Sequence, residues 1–199
     1  MPEHTNTSDL SPAAGTRTRA VVLVGLRGSG KSTVATALAE RLDVPCRDLD
    51  TLALEACELP SIELVFSGLG EARWREAEES SLRGALEDRP VVLSLGGGAP
   101  TVPGIAALLN EARAMKQAWV VWLDASPSVL AERIGSHDHH RPPLRFHSDG
   151  RPCSPLEECR ILRAERAVAY GAVSDLVIEN KGSVEEVVDR LLPRIPTSG

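Results

Sequence analysis

Short apolar runs rich in β-branched residues punctuate the chain at positions 20–24, 44–47, 90–95, 118–123 and 175–178. Each is followed by a stretch in which apolar residues recur every three to four positions, the spacing of one helix face. This alternation predicts a βα repeat. Strands so uniformly apolar are expected to be buried on both faces, in a parallel sheet sandwiched between helices. Ligands of such folds bind at the carboxyl ends of the strands. The longest helical pattern, GEARWREAEESSLRGALED over 70–88, should turn Trp74, Leu82 and Leu86 to a core and its charges to solvent. SVEEVVDRLL opens on Ser183, a good N-cap, with Glu185 and Glu186 in its first turn, and predicts a terminal packing helix. Residues 135–155 break the rhythm: they are polar and aperiodic, hold four prolines, and are expected to be a mobile lid or a disordered segment.

Composition narrows the function. A chain of 199 residues with 42% apolar content buries roughly 70% of its unfolded surface, so neither a disulfide nor a structural metal is needed for a core. The net charge of −6 argues against non-specific nucleic-acid binding, which needs clustered Lys and Arg. No run approaches the ~18 apolar residues of a membrane span, and residues 1–19 lack the apolar segment of a signal peptide. A disordered tail over 1–19, a single domain over 20–195 and a small soluble partner follow as expectations, with neither nucleic acid nor membrane involved. Cys46, Cys57, Cys153 and Cys159 form no C-x-x-C pair and read as reduced thiols in a cytoplasmic protein.

The chemistry begins at GLRGSGKST, residues 25–33, which fits G-x-x-x-x-G-K-[ST] between a predicted strand and a predicted helix. Its glycines let backbone N–H groups ring a β-phosphate, and the helix N-terminus adds its positive end. Lys31 reaches the β and γ oxygens, while the Ser32 hydroxyl binds Mg²⁺. Gly28, Ser29, Gly30, Lys31, Ser32 and Thr33 are thus the candidate ATP phosphate contacts.

CRDLDT places Asp48 and Asp50 two apart at the end of the second predicted strand, with both carboxylates facing one way. Beside Mg·ATP, one could hold the metal through water and the other could orient or deprotonate an attacking hydroxyl. The plainer alternative is a strand-to-helix turn in which Asp50 caps a helix starting at Thr51. SLGGGAP would bring the bare backbone of Gly96, Gly97 and Gly98 against a ligand. Arg75 and Glu78, three apart on one helical face, can pair. Asp50, Arg75, the glycine triple, Arg141 and Arg166 can all converge on one hydroxylated ligand bearing an anion, because a guanidinium fork grips a carboxylate bidentately. His137, His139, His140, His147 and Cys153 also crowd the aperiodic stretch, but their spacing is unlike that of structural zinc ligands.

Over residues 20–192 the motifs GLRGSGKST, RDLD, GEARWREAE, SLGGGA, ERIG, RPPL and AERAVAY together resemble the shikimate kinase family. The resemblance implies an α/β P-loop kinase fold of three layers, five parallel strands in the order 2-3-1-4-5 and a mobile lid over about 135–155. It also implies transfer of the ATP γ-phosphate to the 3-hydroxyl of shikimate, on the way to chorismate. Asp48 would join Ser32 in the Mg²⁺ shell, and Asp50 would grip the substrate hydroxyls beside the departing proton. Arg75 and Arg166 would bind the carboxylate, Gly96, Gly97 and Gly98 would line the ring, and Arg133 would stack on adenine. Arg141 would reach the transferring phosphoryl group, making Lys31, Asp50 and Arg141 the catalytic set. A monomer is expected. Trp74 stands where the family has phenylalanine, and the usual Arg-Pro-Leu is Arg141, Pro142, Pro143, Leu144 here. Two alternatives remain: a kinase of another polyol acid such as gluconate, or of a nucleotide, and a catalytically silent P-loop binding protein.

Overall fold

A computed structural model describes residues 19–137 and 144–196. The first apolar run forms strand β1 (Ala20–Val24), whose five residues are all buried. Helix α1 (Lys31–Leu42), strand β2 (Cys46–Asp48) and helices α2 (Leu49–Cys57), α3 (Ile62–Gly68) and α4 (Gly70–Glu87) follow. Beyond them come strand β3 (Val91–Ser94), helix α5 (Pro103–Ala114), strand β4 (Ala118–Asp124), helices α6 (Pro127–His137) and α7 (Pro155–Val173), strand β5 (Leu176–Glu179) and helix α8 (Val184–Leu191). The strands pair in parallel in the order β2-β3-β1-β4-β5, with Ala20 in register with Val91 on one side and Ala118 on the other. That is the predicted order.

Alternate residues of β1 enter two cores. Val22 packs with Leu82 and Leu86 of α4 and Leu109 of α5 on one face, while Leu23 packs with Leu38 of α1 and Leu191 of α8 on the other. Truncating any one of the fully buried leucines to alanine costs about 2–5 kcal/mol through lost transfer and a residual cavity. A smaller cluster joins Trp74 to Ala53 of α2 and Val65 of α3, so α2–α4 form a satellite beside the sheet edge. Trp74, Leu82 and Leu86 face inward as expected. The cap of α8 is a full capping box between Ser183 and Glu186.

Three local expectations need correction. The plainer alternative at CRDLDT names the wrong cap: Asp48, the last residue of β2, caps α2, accepting from the N–H groups of Asp50 at 3.1 Å and Thr51 at 3.3 Å. The helix therefore starts at Leu49, and Asp50 lies in its first turn rather than on the strand. Not all charges of α4 face solvent, because Glu78 is 2% exposed; its partner Arg75 makes that burial tolerable. Third, residues 144–154 are structured. Phe146 bridges Pro152, His147 N–H donates to the Arg151 carbonyl at 2.8 Å, and Gly150 takes the turn at φ +83°. The carboxylate of Glu158 on α7 holds the hairpin base by accepting the N–H groups of Leu144 and Arg145, and Arg145 pairs with Glu165. Asp149-Gly150 is the turn signal that makes this possible without hydrophobic periodicity.

Residues 1–18 of the expected tail over 1–19, the centre of the expected lid over 138–143, and with it Arg141, His139 and His140, lie outside the described residues. Among the described residues no helix is long and apolar enough to cross a membrane.

Candidate active site

The loop from β1 to α1 is shaped by close packing. At Gly25 a Cβ would collide with the Leu123 carbonyl of β4, and Gly28 and Gly30 sit at φ +77° and +85°, conformations that side chains resist. Gly30 is also the N-cap of α1, which leaves the first N–H groups of that helix without intrahelical acceptors. They and the positive helix end face an anion site. The Lys31 ammonium donates to the Leu26 carbonyl at 2.9 Å, as does the Ser29 N–H at 3.1 Å, so the loop arches over its own lysine.

Beside it, the Ser32 hydroxyl lies 3.3 Å from Ser94 Oγ at the end of β3 and 3.4 Å from Asp48 Oδ2. Serine, serine and carboxylate form a set of hard oxygen donors at the phosphate loop. That chemistry fits Mg²⁺, which prefers one or two carboxylates, phosphate oxygens and water. Arg133 of α6 donates to the Gly28 carbonyl at 3.4 Å, at the far side of the loop.

The other end of the cleft is made by side chains from separated elements. Asp50 presses so closely on Gly96 that a Cβ there would collide with its Oδ1. The Gly97 carbonyl accepts from Arg166 at 2.8 Å and from the Tyr170 hydroxyl at 2.6 Å, both on α7. Arg75 of α4 is clamped between Glu71 at 2.8 Å and the buried Glu78 at 2.7 Å. Burial raises the Glu78 carboxyl above its ordinary range, against the pull of Arg75, and the nearby Asp50 charge adds to the rise. Burial likewise raises the Tyr170 hydroxyl, which keeps it a donor to Gly97.

One cleft of about 930 Å³ joins both ends. Gly28, Gly30, Lys31, Ser32, Thr33 and Asp48 line it at the nucleotide end, and Asp50, Gly96 and Gly97 at the other. Ser29 is packed beneath the loop, 1% exposed. Neither Arg75 nor Arg166 lines this cleft: Arg166 reaches it through the Gly97 carbonyl, and Arg75 pairs with the buried Glu78, which feels the charge of Asp50. Gly98 leads into a 3-10 turn after β3. Four contributors were not named from the sequence. Arg27 lines the cleft from within the phosphate loop itself, and its place in the motif was a usable signal. Tyr170 lies four residues after Arg166, the spacing of one helix face. Asn180 and Gly182 line the nucleotide end; they lie in NKGS just after β5, where sites gather at strand ends and where the family resemblance puts a loop over adenine without picking out a residue.

A phosphate loop facing an acidic, arginine-backed pocket across one cleft defines a P-loop phosphotransferase acting on a small acceptor. Residues 27–196 match the sequence model of the shikimate kinase family, and the chain belongs to that family. It is an enzyme, a kinase that uses ATP. Shikimate kinase of Ruegeria pomeroyi is 34% identical over 196 residues, covering 98% of this chain and 94% of that protein. Shikimate kinase of Mycobacterium tuberculosis (strain ATCC 25177 / H37Ra) is 38% identical over 175 residues, covering 87% and 92%. Among solved structures, shikimate kinase from Acinetobacter baumannii in complex with shikimate superposes with a TM-score of 0.75 at 27% identity, covering 90% of this chain and 93% of that one.

Proposed function

We propose that this protein transfers the γ-phosphate of Mg·ATP to the 3-hydroxyl of shikimate. The observation that carries the reading is the single cleft in which Asp50, packed on Gly96, faces Lys31 and Ser32 of the phosphate loop. Phosphoryl transfer asks mainly for positioning and for neutralisation of charge on the transferring group. In this reading Asp50 holds the acceptor hydroxyls and takes the proton of the attacking one. Arg75 and Arg166, backed by Glu78 and Gly97, hold the carboxylate. Lys31 leaves the Leu26 carbonyl for the β and γ oxygens, and Arg133 lies along the base.

Ser32 directly, and Asp48 through water, would hold Mg²⁺, which when bound neutralises charge shared between the β- and γ-phosphates. Arg141, outside the described residues, completes the reading as the cation that meets the phosphoryl group, brought by a lid over about 135–155. We take the protein to act as a cytoplasmic monomer.

A coupled ADP-release assay offering shikimate, quinate, gluconate and nucleoside monophosphates side by side tests the assignment. Shikimate should be the best acceptor by a wide margin. A higher kcat/KM for gluconate or a nucleoside monophosphate overturns it.

A further inference from the structure

Asn180 follows directly after β5, far in sequence from the phosphate loop, yet its side chain is part of that loop's construction. Its amide Nδ2 donates to the Ser29 carbonyl at 2.6 Å, and the residue is 7% exposed. Only the NH₂ group of the amide can serve a carbonyl acceptor, so the bond fixes which way the amide faces. Its own N–H donates to the Asp124 carbonyl at the end of β4 at 2.7 Å, tying it to the neighbouring strand. Gly30 completes the fit: a Cβ there would lie 2.6 Å from Asn180 Nδ2. The glycine is thus required for access of this side chain as well as for its φ of +85°.

The Ser29–Gly30 peptide is trans. A planar trans unit points its carbonyl and its N–H in opposite directions. When Asn180 holds the Ser29 carbonyl, the Gly30 N–H is turned away from Asn180. We infer that Asn180 is a positioning residue: it locks the plane of the Ser29–Gly30 peptide so that the Gly30 amide is aimed at nucleotide phosphate before the nucleotide arrives. Such preorganisation acts through phosphate affinity, because a cradle whose donors are already aligned loses no free energy in turning them. The inference rests on the proposed use of ATP but not on the identity of the acceptor.

The test separates phosphate from base, since Asn180 also lines the cleft near Arg133. Affinities of the wild type, Asn180→Ala and the near-isosteric Asn180→Asp are measured for ADP, inorganic tripolyphosphate and adenosine in the presence of Mg²⁺, along with KM for ATP and for shikimate. Asn180→Ala should weaken ADP and tripolyphosphate alike by about tenfold, the effect of one lost buried hydrogen bond. Adenosine affinity and KM for shikimate should stay within about twofold. Asn180→Asp, which fills the same space but has no donor and sets a carboxylate against the carbonyl, should lose more, and it carries the test should the alanine variant fail to fold. Unchanged tripolyphosphate affinity with weakened adenosine would make Asn180 a base contact and overturn the inference; so would a uniform loss for every ligand together with a lowered melting temperature. Should the wild type release no ADP with shikimate, the acceptor assignment falls, while tripolyphosphate affinity still decides the role of Asn180.

Discussion

The two ends of the cleft are built by opposite means. The nucleotide end is mostly backbone: residues 25–33 curve around an anion site with glycines at φ +77° and +85° and a helix N-terminus behind them. The other end is mostly side chains, with Asp50 from α2 against Gly96, Arg166 and Tyr170 from α7 on the Gly97 carbonyl, and the Arg75–Glu78 pair of α4 beside them through the charge of Asp50. Backbone amides recognise what all nucleotides share. In the proposed function the charged side chains of the other end would recognise one arrangement of hydroxyl and carboxylate, because any acceptor lacking a partner group would leave a partly desolvated charge unpaired. Generic and particular recognition are thus divided along the cleft, and substitutions at the two ends should have separable signatures.

Lys31→Ala should have the largest effect, lowering kcat by about 10²–10³ with KM for shikimate nearly unchanged, since the ammonium matters most as charge develops on the phosphoryl group. A rise in shikimate KM as large as the fall in kcat would erase the division. Gly96→Ala comes next. Its new Cβ must displace the Asp50 carboxylate, and a misplacement of about 1 Å lowers kcat/KM for shikimate by about 10²; ADP affinity, read by calorimetry, should not move. Arg75→Ala should weaken shikimate binding by about 2 kcal/mol, a factor of about 30, with ATP affinity unaltered. Loss of ATP affinity in this variant would place Arg75 at the wrong end.

The smallest effect is on stability. Burial lifts the Glu78 carboxyl above its ordinary 4.5, so between that value and its raised one the folded protein holds a proton that the unfolded chain has released. Stability therefore falls as pH rises through that window. Urea midpoints followed from about pH 4 to 7 should decline more steeply for the wild type than for Glu78→Gln. Parallel curves would show that Glu78 is not strained by its burial.

The same division explains what could be read from sequence. GLRGSGKST is contiguous, and its glycine, lysine and serine spacing states the geometry outright. The strand order came with the family resemblance, whereas the burial of β1, β3 and β4 was plain in their unbroken apolar runs. Asn180 and the Ser29 carbonyl, by contrast, are brought together only by the pairing of β4 with both β1 and β5. No local pattern marks a bond across that distance. The carbonyl of Gly97 gathers Arg166 and Tyr170 in the same non-local way, and only the helical spacing of those two residues hinted at it. At CRDLDT the error was one of competition: Asp50, which the alternation placed on the strand, falls in the first turn of α2, because Asp48 at the end of β2 takes the cap. The hairpin over 144–154 was hidden because hydrogen-bonded turns with few buried side chains leave no periodic trace.

Because β1 is the central strand, lying between β3 and β4, the order of synthesis runs against the order of assembly. Val24 leaves the ribosome long before Asp124, the last residue of β4, and at about 5–20 residues per second the delay is roughly 5–20 s. Until β3 emerges the segment AVVLV has neither of its neighbours, and until β4 follows one of its wholly apolar edges stays unpaired. During translation this segment is therefore the natural target for a chaperone or, in its absence, for aggregation.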